Sequence, residues 1–218
     1  MKAFQEFPKI PRLKKGMVVT EKIDGSNAQV FVVKKDEHPV GREDIFEVDS
    51  IVYEDETFAV WAGSRNRWLQ PGKNTDNFGF AAWVVDNAPE LIRLGAGRHY
   101  GEWYGKGIQR GYGLSDRRFA LFNVGRWYSE LNRRSGMYFD ESGATERLPP
   151  YPPPCCDVVP VLYYGSFSLA SVENCMDDLL ARGSRVALFE DPEGVVVYHE
   201  AAKQYFKHLF DPTPKGAK

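Results

Sequence analysis

The sequence predicts an α+β fold, rich in strands and built on antiparallel sheets. Three observations lead there. Short apolar runs alternate with polar turns, as in Phe46 to Tyr53 and Thr57 to Ala62 on either side of Glu54-Asp55-Glu56. Apolar residues recur at helical spacing in only two stretches. No internal repeat, coiled-coil pattern or apolar run of membrane-spanning length is present.

In chain order, the first twenty residues carry Pro8 and Pro11 among several lysines and read as an extended lead-in. The run Met17-Val18-Val19-Thr20 then meets Glu21-Lys22-Ile23-Asp24-Gly25-Ser26-Asn27, and Ala28 to Val33 reads as a second strand. A strand, a tight polar turn and another strand would hold the Lys22 ammonium at a fixed place near the mouth of a cleft. A charged connection follows, from Lys34 to Asp44. Arg65 to Asn77, polar and basic around Pro71-Gly72, reads as a loop. Asp76 is placed as an N-cap for Phe78 to Leu94, where Phe80, Trp83, Val84 and Leu91 keep helical spacing and Pro89 divides the stretch into two helices.

His99 to Gly105 is a short aromatic strand that enters a glycine-rich loop running to Gly113. Phe119 to Val124 and Trp127-Tyr128 supply the next strands. Asn132 to Pro154 ends in a proline run and reads as a long surface loop with polyproline character. Val158 to Tyr164 is a strand, and Ser168 or Ser171 caps a helix through Leu180 that Gly183 ends. Val186 to Phe189, Gly194 to His199 and Gln204 to Leu209 are short strands before a frayed tail.

Composition narrows the function. A chain of 218 residues with 43% apolar content can bury a sizeable core, as one domain or as two small ones packed together. The net charge of -2 argues against coating nucleic acid by overall charge, yet it permits a local basic groove. Basic residues cluster at Lys9 to Lys15, Arg65 to Lys73, Arg110 to Arg118 and Arg126 to Arg134. Three cysteines, two of them adjacent at Cys155 and Cys156, make neither a disulfide framework nor a zinc site. With no signal peptide and no membrane span, a soluble, cytoplasmic protein is expected.

Lys22 is placed for use as a phosphate ligand or as a nucleophile. The run Gly105 to Gly111 is no phosphate loop, because no Gly-Lys-Ser/Thr follows and it opens no helix after a parallel strand. It reads as a plain flexible loop. Glu102 lies in an aromatic strand, Glu193 at the turn into an apolar strand, and Lys203 and Lys207 just beyond. Carboxylates hold a hard cation and lysines neutralise phosphate oxygens, so this set suits a magnesium–nucleotide site.

The order of these residues carries a resemblance. Lys22-Ile23-Asp24-Gly25, Ser64-Arg65, Gly101-Glu102, Phe119 to Val124, Glu193-Gly194-Val195-Val196 and Lys207 resemble the motif series of the covalent nucleotidyltransferases, the polynucleotide ligases and RNA capping enzymes. The form Glu-Lys-Ile-x-Gly-x-Asn around Lys22 is similar to the branch holding phage nick-sealing RNA ligases and RNA-editing ligases. The resemblance covers about residues 17 to 210. It implies an ATP-grasp-like nucleotidyltransferase domain over 1–210, two antiparallel sheets flanking a nucleotide cleft, a flexible tail over 211–218 and no appended oligonucleotide-binding domain.

The resemblance also implies roles. Lys22 would attack the α-phosphate of ATP to form lysyl-AMP and expel pyrophosphate. Arg65 and Glu102 would contact the ribose and its surroundings, Phe122 would stack on adenine, and Lys207 would bind the α-phosphate. Glu193 would help place Mg²⁺ or Mn²⁺. Glu21 and Asn27 match positions that shape the nucleotide pocket, and Asp24 would shape the turn. A second cation and a bound metal would favour the neutral, nucleophilic amine at Lys22.

Two positions depart from the family. Asn123 stands where many relatives have aspartate, and Lys207 is followed by His208 and Leu209 where the family has a second lysine one residue away. Lys203 or Lys215 would have to supply that contact. The expected activity is an ATP-dependent RNA ligase, a monomer joining 5′-phosphate and 3′-hydroxyl ends of RNA, with its strands held by the basic loops. DNA ends, another acceptor, or an inactive nucleic-acid-binding relative are the alternatives.

Overall fold

The computed structural model describes residues 4–34, 49–53, 56–127 and 151–210. Among the described residues the strands are β1 (Gly16–Glu21), β2 (Ser26–Lys34), β3 (Asp49–Tyr53), β4 (Glu56–Ser64), β5 (Trp68–Leu69), β6 (Gly97–Gly105), β7 (Arg117–Leu121), β8 (Cys156–Val158), β9 (Val161–Ser166), β10 (Gly194–His199) and β11 (Gln204–Leu209). The helices are α1 (Phe80–Leu91), α2 (Val124–Trp127) and α3 (Leu169–Arg182). The connection over 35–44, the first residues of the strand expected from Phe46, Tyr128, most of the loop over 132–154 and the tail over 211–218 lie outside the described residues. The chain gathers into two compact units, one of residues 1–22, 161–184 and 190–218, the other of 23–160 and 185–189.

In the first unit a four-stranded antiparallel sheet runs in the order β11-β10-β1-β9. Met17 and Val19 of β1 and Val195 and Val197 of β10 share one face, because side chains alternate along a strand. That face packs on Val172, Cys175, Met176 and Leu179 of α3, spaced for a single helical stripe. Ser168 is the cap of α3, its Oγ accepting from the Ser171 N–H at 3.2 Å. Gly183, at φ 76°, ends the helix and returns its N–H to the Leu179 carbonyl at 2.8 Å.

The second unit holds a seven-stranded sheet with the path β3-β4-β2-β6-β7-β8 and β5 paired to β4. Ala28, Val30 and Val32 of β2 and Phe58, Val60 and Ala62 of β4 face α1, where Phe80, Ala81, Val84, Ala88 and Leu91 are buried. Asp76 caps α1 from outside the helix: Oδ1 accepts from the Ala81 N–H at 2.7 Å and Oδ2 from the Ala82 N–H at 3.1 Å. The residue at the cap position itself is Gly79, at φ 73° with no side chain to offer.

Six expectations are corrected here. Pro89 does not divide the helix: α1 runs through it and passes into a 3₁₀ turn at Ile92–Leu94. The ring is exposed while Ala88 and Leu91 on either side stay buried, so continuing the stripe outweighs the one N–H that proline lacks. The Arg65–Asn77 stretch contains β5, because Leu69 is buried opposite Ala62. Val158 to Tyr164 is two strands broken at Val159-Pro160, since β8 pairs with β7 and β9 with β1. The β7–β8 pair is parallel, an exception to the antiparallel expectation. Val124–Trp127 is a helical turn, and 186–189 is no strand but a run of bends to 188, after which Phe189 packs on Tyr112 at 5.0 Å between ring centroids.

Two predictions follow from this packing. The turn into β2 lies so close to β6 that a Cβ on Gly25 would stand 2.5 Å from the Trp103 carbonyl oxygen and 2.9 Å from Glu102 Cγ. Gly25→Ala should therefore lower stability by about 1–3 kcal/mol, read as a lower urea midpoint with an unchanged slope.

The second concerns His99, buried with Nε2 2.8 Å from the Gly95 carbonyl oxygen. Burial lowers its pKa; the bond to Gly95 opposes this, and the charge of Arg126 adds to it. The unfolded chain takes up the proton near the ordinary value of about 6.5, whereas the folded chain takes it up only at lower pH. The neutral ring's contribution is therefore complete above that value and is lost as pH falls below it. Melting temperatures measured between about pH 8 and about pH 5 should fall more on acidification for the native chain than for His99→Gln.

Candidate active site

In the first unit the β1–β10 ladder delivers Lys22 to Glu193. The Lys22 N–H donates to the Gly194 carbonyl at 2.9 Å, and Nζ donates to Glu193 Oε2 at 2.6 Å. The lysine side chain is 23% exposed and the glutamate side chain 9%, so the pair is screened from water on most sides. Gly194 has φ 141°, and a Cβ there would collide with the His208 carbonyl oxygen on β11. The Glu-Gly dipeptide is thus a packing requirement as well as a motif.

Glu21 faces the opposite way from Lys22. It is buried, sits across from Val195, and accepts a hydrogen bond from Ser184 Oγ at 2.5 Å. Lys207 lies across from Val196, which in turn lies across from Thr20, so all three share the sheet face away from α3. Lys207 is exposed there. His208 takes the α3 face, with Nε2 3.4 Å from Glu173 Oε1, and Leu209 pairs with Gly194. Lys203 sits in the turn between β10 and β11 at φ 52° and is exposed. Lys215 lies outside the described residues.

In the second unit Asn27 on β2 stands directly across from Glu102 on β6, and Glu102 across from Ala120 on β7. Asn27 also lines an open, polar pocket of about 350 Å³ together with Ser64, Arg65, Arg67 and Asn77. Arg67 is committed to the carbonyls of Thr75 at 2.9 Å and Asp76 at 3.2 Å, while Arg65 is exposed at the rim. Phe122 is half-buried just past β7, held by its N–H on the Tyr100 carbonyl at 2.9 Å. The Asn123 side chain accepts from the Arg126 N–H at 3.1 Å, so this position serves as the cap of α2.

Asp24 is buried. Its N–H donates to the Tyr112 hydroxyl at 2.7 Å, and Oδ2 lies 3.3 Å from Arg110 Nε. Tyr112 and Arg110 belong to the glycine-rich run, which is a packed turn rather than a flexible loop: Ile108 and Tyr112 are fully buried, and Tyr112 takes φ 52°. Tyr104, fully buried, donates to Asp157 Oδ2 at 2.9 Å. Burial first, and the Asp157 charge second, push its phenol far above the ordinary range, so it stays a neutral donor.

Sequence reasoning did not find Ser184, Arg110 or Tyr112. Ser184 lies 163 residues from Glu21 and Tyr112 88 residues from Asp24, and no spacing rule reaches so far. Asn77, which holds the Ser26 hydroxyl at 2.6 Å, was legible only as part of a polar loop. No group of three or more His, Cys, Asp or Glu side chains gathers among the described residues. A single carboxylate such as Glu193 would be enough for magnesium or manganese, ions that take one or two protein carboxylates and complete their shell with phosphate oxygens and water.

A family model described as RNA ligase matches residues 15–209. Solved structures of a Naegleria gruberi RNA ligase are also similar: a variant with AMP and manganese at 19% identity and TM-score 0.48, and a form with pyrophosphate at 20% and 0.47. Each covers 89% of this chain and 49% of that one, so the chain spans about half the length of those structures. A comparison with curated proteins found no match. The family match, running from the residue before β1 to the end of β11, decides the assignment: the chain belongs to the RNA ligase family.

Proposed function

We propose that the chain is an ATP-dependent RNA ligase that works through a lysyl-AMP intermediate on Lys22. The observation that carries this reading is the 2.6 Å contact between Lys22 Nζ and Glu193 Oε2, formed by residues 171 positions apart at the end of the β1–β10 ladder. A partly buried ammonium needs a countercharge, and here that countercharge is the carboxylate expected to hold the metal, as the lysyl-AMP reading requires.

In this reading Nζ attacks the α-phosphate of ATP, forming a P–N bond and breaking the bond to the pyrophosphate oxygen. An ammonium donating to a carboxylate has no lone pair to offer, so attack requires Glu193 to release Nζ and a proton to leave nitrogen. Magnesium or manganese, held by Glu193 with phosphate oxygens and water, would supply positive charge for the leaving group. Lys207 would bind the α-phosphate, with Lys203 in support. Arg65 and Glu102 would contact the ribose, Phe122 would stack on adenine, and Asn27 and Glu21 would shape the nucleotide pocket, with Asp24 holding the turn. The AMP would pass to a 5′-phosphate, and a 3′-hydroxyl would then displace it. Among the described residues no helix is long and apolar enough to cross a membrane. Cys155, Cys156 and Cys175 are free thiols, which supports a reducing, cytoplasmic setting.

The test is an acid-stable label. Incubated with magnesium and α-labelled ATP, the native chain should carry label, and Lys22→Ala should carry none. Glu193→Gln should slow labelling by about a hundredfold. No label from ATP or GTP sinks the enzyme reading, and label from ATP on Lys22→Ala sinks the choice of nucleophile. A chase with 5′-phosphorylated RNA should release AMP and yield joined product; release by DNA alone would move the substrate class.

A further inference from the structure

Beside the pocket of the second unit, on the same sheet face, lies a cluster that the roles above do not use. Asn27, Gln29 and Phe31 follow one another on that face of β2, across from Glu102, Tyr100 and Arg98 of β6. Phe31 stacks on Trp61 at 5.1 Å with 23° between the rings, and Trp68 closes the group at 6.0 Å from Phe31. The Arg98 guanidinium caps it, 4.3 Å from the Phe31 centroid and 5.2 Å from that of Trp68. Trp61 is buried beneath, but Arg98 is exposed and Tyr100 is 48% exposed.

Gln29 joins this cluster to the pocket. Its Nε2 donates to the Ser64 carbonyl, in the pocket wall, at 3.1 Å, and its Oε1 accepts from Arg98 at 3.0 Å. The guanidinium is therefore hydrogen-bonded from one side and lies over the Phe31 ring, on an exposed residue. Among the described residues no carboxylate pairs with it, so no ion pair offsets its charge. From Asn27 to Phe31 is four residues of strand, about 13 Å, the span of a short stretch of extended nucleotides beyond the pocket.

A flat, charged plane laid on aromatic rings at the surface of a sheet is a stacking seat for an unpaired base. We propose that Arg98, fixed by Gln29 and backed by Phe31 and Trp68, stacks on a base of single-stranded RNA running outward from the Asn27–Arg65 pocket. This rests on the ligase reading, and names where that site takes its polynucleotide. An exposed guanidinium over a ring offers a base a face to stack on and a phosphate a charge, and both kinds of contact suit nucleic acid.

The experiment measures binding of a fluorescein-labelled, 5′-phosphorylated single-stranded RNA of about twelve nucleotides by anisotropy. Each preparation is normalised to the fraction that accepts label from ATP, and a blunt RNA hairpin serves as the paired probe. Arg98→Ala should weaken single-strand binding by about five- to a hundredfold. Arg98→Lys, which keeps the charge and loses the plane, should be weakened nearly as much, and the hairpin should respond less to either change. Native affinity in Arg98→Lys would overturn stacking in favour of a phosphate contact. Native affinity in both variants, or a native chain that labels with ATP yet does not bind the single strand, would overturn the proposal while leaving the ligase reading standing. A native chain that binds RNA without accepting label would count against that reading instead. Arg98→Lys also serves if Arg98→Ala does not fold.

Discussion

Where β1 ends, a backbone hydrogen bond from Lys22 to the Gly194 carbonyl brings two distant segments together, and the chemistry of the first unit depends on it. The bond sets the lysine beside the residue that precedes Gly194, which is Glu193. The Phe210 N–H, on the Glu193 carbonyl at 3.2 Å, fixes the same dipeptide from the other side. With both flanks pinned, the contact from Nζ to the carboxylate is a property of the sheet, and sheets hold side chains more firmly than loops do. The close approach of β11 is possible because position 194 has no Cβ. A side chain there would push away the strand that carries Lys207, so one glycine governs the placement of three charged groups.

The second unit solves a different problem with the same periodicity. One face of its sheet is covered by α1, whose first-turn amides are satisfied from Asp76 because Gly79 cannot do so. The other face carries Asn27, Glu102 and Asp157, beside the buried Tyr104 and the Phe31–Trp61–Trp68 cluster. Alternation along β2 and β6 makes this division, since a shift of one residue would exchange Asn27 and Gln29 for Ala28 and Val30. Gly25 and the Tyr112 hydroxyl hold the turn at the head of β2, and with it the register of that face.

The sequence was most legible where the determinants are local. Ser168 and Gly183 bound α3 as capping chemistry requires; beside the Lys22 turn, β1 follows from a short apolar run and β2 from alternation. It misled where a local signal competed with burial. Pro89 is a helix breaker by its own chemistry, yet it sits on the solvent side of a stripe that α3-like periodicity would continue. The glycines from 105 to 113 suggest a loose loop, but Ile108 and Tyr112 anchor it in the core. Long-range pairs were beyond reach from spacing. Glu193 could be joined to Lys22 only through the resemblance. Ser184 left no mark because Glu21 lies 163 residues away, and Arg98 because its partners are set by strand register.

Net charge bears on how such a chain could hold RNA. At -2 it produces no long-range attraction for a polyanion, and at physiological salt surface charges are screened within about 8 Å. Affinity would then have to come from short-range contacts that also work under screening. Stacking meets that condition, because a π-face is offered by every base and its attraction does not decay with salt as phosphate pairing does. A guanidinium over Phe31 combines the two kinds of contact in one group, and the Gln29 side chain holds it by a hydrogen bond before any ligand arrives. Part of the cost of ordering a long arginine is thus met by folding rather than by binding.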